Sequence, residues 1–199
     1  GLPLQQREHA ERRSVLVPSG KTQAFVAITF AAYNPGRCRN LDEDNLCRIY
    51  DRRPLVCRIY PMEINPHIPF NPAAKECPPE SWEQGPVLIA GGELMDEELA
   101  ELIRRSRQAD RDDVKTKEAV CTLLGIRTTA LKGDGFTAYL PQMDAFAQAI
   151  ELAASQPCVA NEWVFHVSGM DIAEQLLDAG AQLATEVPAN YAFIPLRTA

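Results

Sequence analysis

The chain has 199 residues, 46% of them hydrophobic and 24% charged, which is enough for one domain or two small ones with an ordinary core. Its net charge of −7 is uneven: residues 1–84 carry 11 Lys and Arg against 10 Asp and Glu, whereas residues 85–199 carry 9 against 17. An acidic second half argues against a nucleic-acid binder, and the absence of any run of about 18 apolar residues predicts no membrane span.

The N-terminus, Gly1 to His9, lacks an apolar h-region and does not read as a secretory signal. Thr22 to Phe30 (TQAFVAITF) is rich in β-formers and predicts a strand. Eight of the 15 prolines then lie between Pro54 and Pro86. Each removes a backbone donor and restricts the residue before it, so this stretch predicts irregular chain with short turns. A long irregular segment needs something to organise it.

Helical periodicity begins after Gly91-Gly92. Asp96 is the expected N-cap of a helix whose Leu99, Leu102 and Ile103 share a face. A second helix is expected over about 113–124, ending at Gly125. Lys132-Gly133-Asp134-Gly135 predicts a turn before a strand, Phe136 to Leu140. After Pro141, Met143, Phe146, Ala147 and Ile150 predict the core-facing side of a third helix. Ser168 with Asp171 resembles a capping box for a fourth, ending near Gly180. Tyr191 to Leu196 predicts a terminal strand, with Pro195 marking an edge. The expected class is α+β. An irregular Cys/Pro-rich part with a strand (1–84) precedes a mainly helical, acidic part with short strands (85–199).

The chemistry concentrates in four of the six cysteines. Cys38, Cys47, Cys57 and Cys77 follow a C-x8-C-x9-C-x19-C spacing. The short C-x2-4-C knuckles of many zinc sites are absent, but four thiolates complete a tetrahedral zinc site or an iron–sulfur cluster such as [4Fe–4S]. Soft sulfur donors favour zinc, Cu(I) or iron–sulfur over magnesium or calcium. Arg48, Arg53 and Arg58 lie beside these thiols, where positive charge favours thiolate and offsets a four-thiolate centre. The alternative for the arginines is pairing with Asp42, Glu43, Asp44 and Asp51 on a solvated face. Disulfides are the rival reading for the cysteines and would need an oxidising compartment. His67, inside the Pro-rich loop, is a substitute ligand. Cys121 and Cys158 are expected to be ordinary buried residues, and His166 a satisfied core or surface residue. No nucleophile-elbow, Walker, dinucleotide-binding or H-E-x-x-H motif is present.

The run Cys47-Arg48-Ile49-Tyr50-Asp51-Arg52-Arg53-Pro54-Leu55-Val56-Cys57-Arg58-Ile59-Tyr60-Pro61 resembles the C-x-I-Y-x-x-R-P-x-x-C-R-x-Y-P signature of the YkgJ-type cysteine-cluster family, a zinc- or iron-chelating group. Cys38 with Leu41 resembles that family's preceding C-x-x-L element. The likeness is strong over residues 37–61 and extends over about 1–84. Members of the family also carry an upstream C-x-x-C-x-x-x-C-C cluster. This chain has no cysteine before Cys38, so a cluster of that kind, if the protein has one, would stand before Gly1, and the four cysteines here would then be only part of the site.

The resemblance implies metal or iron–sulfur binding in a bacterial, mostly cytoplasmic setting. Three functions follow as expectations: a metal-binding protein, an iron–sulfur-dependent redox or group-transfer enzyme (protein methylation, for example), or an interaction module. In the last, the acidic C-terminal half would meet a protein partner.

Overall fold

The computed structural model of the chain describes residues 3–32, 34–65, 67–75, 78–155, 161–185 and 190–196. It begins with helix α1 (Leu4–Glu11) and strands β1 (Ser14–Ser19) and β2 (Thr22–Ala27). The Pro-rich stretch holds the short helix α2 (Leu55–Ile59) and three single 3-10 turns, Tyr50–Arg52, Pro72–Ala74 and Pro79–Trp82. A two-residue hairpin, β3 (Ile89–Ala90) with β4 (Glu93–Leu94), leads into α3 (Glu97–Asp112). The remainder runs α4 (Val114–Leu123), β5 (Thr128–Ala130), β6 (Gly135–Tyr139), α5 (Met143–Ala153), β7 (Val164–His166), α6 (Met170–Asp178) and β8 (Tyr191–Pro195). The class is α+β, as expected.

The chain forms two compact units, one of residues 1–29 and 113–199 and the other of residues 30–112. The change of composition at Gly85 therefore falls inside the second unit.

In the first unit, β1 and β2 make an antiparallel hairpin from Ser14↔Ala27 to Ser19↔Thr22. The expected strand from Thr22 is present but stops at Ala27, and its partner β1 was not foreseen. Val15, Val17 and Ser19 alternate inward along β1, as a period of two requires. Val15, Val17 and Val26 pack with Cys121 and Trp163 into one apolar cluster. Cys121 is buried, as the sequence predicted. Cys158 lies outside the described residues.

Helix α4 ends as expected. Gly125 takes φ +68°, its N–H bonds Thr122 O, and the Ile126 N–H bonds Cys121 O, which together cap the last carbonyls. Gly180 does the same for α6 at φ +82°.

Two expectations in this unit need correction. Met143 is 71% exposed, Ala147 and Ile150 also face solvent, and the packed side of α5 is Phe146, Ala149 and Leu152. Ala149, at 3% exposure, is small enough to bring the helix close to its neighbour, and α5 packs on α4. Size at the contact therefore outweighed hydrophobicity in choosing the face. Ser168 does not cap α6, whose N-cap is Gly169 with no side-chain bond. Ser168 instead donates its N–H (2.8 Å) and its hydroxyl to the buried carboxylate of Asp134, which would otherwise lack partners for its charge.

Strands β6 and β8 pair antiparallel from Gly135↔Pro195 to Tyr139↔Tyr191. Strand β7, also unforeseen, pairs parallel with β5. His166 is a satisfied residue: its Nδ1 lies 2.8 Å from the Tyr191 hydroxyl, and its ring stacks on Phe193 at 4.3 Å. Beside it, Tyr139 donates its hydroxyl to Thr128 O at 2.8 Å. Burial pushes the Tyr139 phenol up from 10.0 to about 12. The unfolded chain loses that proton first, so stability should fall as pH rises from about 10 towards about 12. Urea midpoints across that range should drop less in Tyr139→Phe than in the parent, because the substituted ring has no proton to lose. Parallel slopes would refute this assignment.

The core of the second unit is Ile59, Leu102 and Ile103, joined by Leu55, Met62, Ile64, Leu94 and Leu99. The predicted face of α3 is the one that packs. Asp96 Oδ1 accepts the Leu99 N–H at 2.9 Å, so the predicted cap is also in place.

Candidate metal segment

Residues 38–48 close into a small loop held by the backbone and one carboxylate. Leu41 and Cys47 form an isolated antiparallel bridge, and the Arg48 N–H donates to Asn40 O at 2.8 Å. Inside the loop, Asp42 Oδ1 accepts N–H groups from Asp44 (3.0 Å) and Leu46 (2.8 Å). Short Asp side chains favour such local bonds, and Asn45 tolerates the left-handed φ of 65° that the turn requires. Cys38 and Cys47 thus stand at the two stems of one turn. Asp42, which sequence reasoning treated as a candidate arginine partner, is the residue that shapes it. The Asp-Glu-Asp-Asn run was the available signal.

From Cys47 the chain enters the 3-10 turn at Tyr50, whose N–H bonds Cys47 O at 3.2 Å. Pro54 then precedes α2, where the lack of an N–H costs nothing. Cys57 and Ile59 are two residues apart on this helix, a rotation of about 200°. Ile59, at 1% exposure, faces the core while Cys57 is exposed on the other side.

Cys38 is likewise exposed and Cys47 half-buried, and all three are free thiols. Cys77 lies outside the described residues. Among the described residues, no group of three or more His, Cys, Asp or Glu side chains is gathered closely enough to hold a metal. The donor chemistry nonetheless fits zinc or iron, since three thiol sulfurs, two of them exposed, lie within 20 residues of sequence, Cys38 to Cys57.

The neighbouring arginines make other contacts. Arg58 reaches Glu98 on α3 at 3.4 Å, a largely exposed pair of small energetic weight. Arg53 lies 3.8 Å from the centroid of the Tyr50 ring and donates through Nε to Tyr50 O at 3.1 Å, which stiffens the approach to Pro54. Arg48 contributes its backbone N–H to the loop closure. His67 uses its backbone N–H to bond Asn65 Oδ1 at 2.9 Å.

Among the described residues, no helix is long and apolar enough to cross a membrane. Neither a curated protein nor a solved structure matches the chain. A family model does match, over residues 3–78, and carries the description "CxxCxxCC: Putative zinc- or iron-chelating domain". The match takes in the 38–48 loop, α2 and Cys77. Over residues 3–78, a little over a third of its length, the chain is thus similar to the CxxCxxCC family.

Proposed function

We propose that the protein chelates zinc or iron through thiolates of Cys38, Cys47, Cys57 and Cys77. The observation that carries this reading is the exposure of Cys38 and Cys57, with Cys47 half-buried, against the burial of Cys121. Cysteine is among the residue types most often buried, and solvent-facing thiols that recur within one short stretch of sequence call for a ligand. The family description names the same chemistry. The thiols of Cys38, Cys47 and Cys57 suit a reducing compartment such as the cytoplasm. Arg48, Arg53 and Arg58 would balance the charge of a thiolate centre once its donors converge.

Binding would draw the 38–48 loop, α2 and the Cys77 segment together, because ligand geometry and local folding are coupled in such sites. The test is elemental analysis and an absorption spectrum of anaerobically purified protein. Near-stoichiometric zinc without colour would identify a structural zinc site, and sulfur-to-iron absorption an iron–sulfur centre. A folded protein that contains neither metal and takes up neither would overturn the proposal.

A further inference from the structure

The second unit also contains a cleft of about 440 Å³ that the cysteine segment does not explain. A cavity of this size suits a small molecule. Met62, Ile68, Phe70, Ile89, Leu94 and Ile103 supply the apolar part of its lining. Arg104 and Arg107, three positions apart on α3, add two guanidinium groups to one wall.

The two arginines are not equivalent. Arg104 pairs with Glu101 on its own helix. Arg107 donates through Nε to Ile64 O at 2.7 Å, which fixes the direction of its fork, and no carboxylate among the described residues pairs with it. Partial burial and the nearby charge of Arg111 hold its guanidinium below the usual arginine range. Glu63, the acid in the lining, is engaged by Lys75, whose side chain is only 12% exposed. The cleft therefore presents an apolar body and one oriented cation that has no counter-ion among the described residues. Withdrawing a charge from water without a partner is unfavourable, and an anion placed there would offset that cost.

We propose that this cleft binds a small amphipathic anion, an apolar chain or ring bearing one carboxylate or phosphate, whose head group Arg107 receives. The apolar wall recognises the body, and the free edge of the guanidinium recognises the head.

Calorimetric titration of the full chain with decanoate, decyl phosphate and 1-decanol tests this. At least one of the two anions should bind about tenfold or more tightly than the alcohol, the gain expected of one charge-assisted hydrogen bond, and the tighter anion identifies the head group. Arg107→Gln should erase that advantage and leave 1-decanol unchanged. Ala100→Phe, which fills the cleft and keeps the arginine, should abolish binding of all three. Circular dichroism would check both variants, and if Arg107→Gln failed to fold, Ala100→Phe would decide alone. Absence of binding, equal binding of alcohol and both anions, or anion binding indifferent to either substitution would overturn the proposal.

Discussion

Ile59→Ala should destabilise the second unit by about 2–4 kcal/mol and melt α2, not merely leave a hole in it. Ile59 is 1% exposed and meets Leu102 and Ile103 at the centre of that unit's core. Truncation removes three carbons of apolar contact there, which carries both a transfer and a cavity cost. The second consequence comes from length. Helix α2 has five residues, far too few to persist alone in water, so its helicity depends on docking. Loss of the anchor should therefore expose the amides of Cys57 and Arg58, both bonded to Pro54 O. Hydrogen exchange should show faster exchange across residues 55–62 together with a lower urea midpoint. Val56→Ala, one turn-neighbour away but 59% exposed, should shift stability by no more than about 0.5 kcal/mol. Equal effects from the two substitutions would refute the packing argument.

The same contrast explains what could be read before the structure. Helix α3 was legible because its signals are local: Asp96 caps it, acidic residues open it, and Leu99, Leu102 and Ile103 repeat at helical spacing. Gly125 and Gly180 ended their helices for an equally local reason, the left-handed conformation at the cap. Helix α2 was not legible, because nothing in Leu55–Ile59 outweighs the surrounding prolines except a contact with α3, about 40 positions further on. Ser168 was misread for a similar reason. Its partner Asp134 is 34 positions away, and a buried carboxylate took the hydroxyl that a local cap would have used. In α5 the periodicity was sound, but a choice of face between Ala149 and Ile150 is settled by the neighbouring helix.

The candidate site divides along the same line. The cysteines, their loop-rich setting and the family signature are written in the sequence. The turn built by Asp42 and the opposed faces of Cys57 and Ile59 emerge only when the backbone closes. Arg53 and Arg58 show the gap most plainly. Proximity in sequence placed them beside thiols, whereas the folded chain gives them Tyr50 and Glu98.

Cys57→Ser and Cys121→Ser should fail in opposite ways, and the pair separates a ligand from a core residue. Serine is nearly isosteric with cysteine but is a poor ligand for zinc or iron, so at an exposed position it removes donor chemistry and little else. Cys57→Ser should lower bound metal several-fold, whereas the apo forms of variant and parent should have unfolding free energies within about 0.5 kcal/mol of each other. Cys121 packs with Val15, Val17, Val26 and Trp163 at 4% exposure. A hydroxyl introduced into that apolar cluster should cost about 1–3 kcal/mol, yet metal content should match the parent, because no proposed ligand lies in that unit's core. Elemental analysis and urea unfolding on each variant give a two-by-two outcome. Metal loss from Cys121→Ser, or full retention in Cys57→Ser, would place the ligands elsewhere in the chain. Should Cys57→Ser instead destabilise the metal-loaded protein far more than the apo protein, the difference would measure the stability that bound metal contributes.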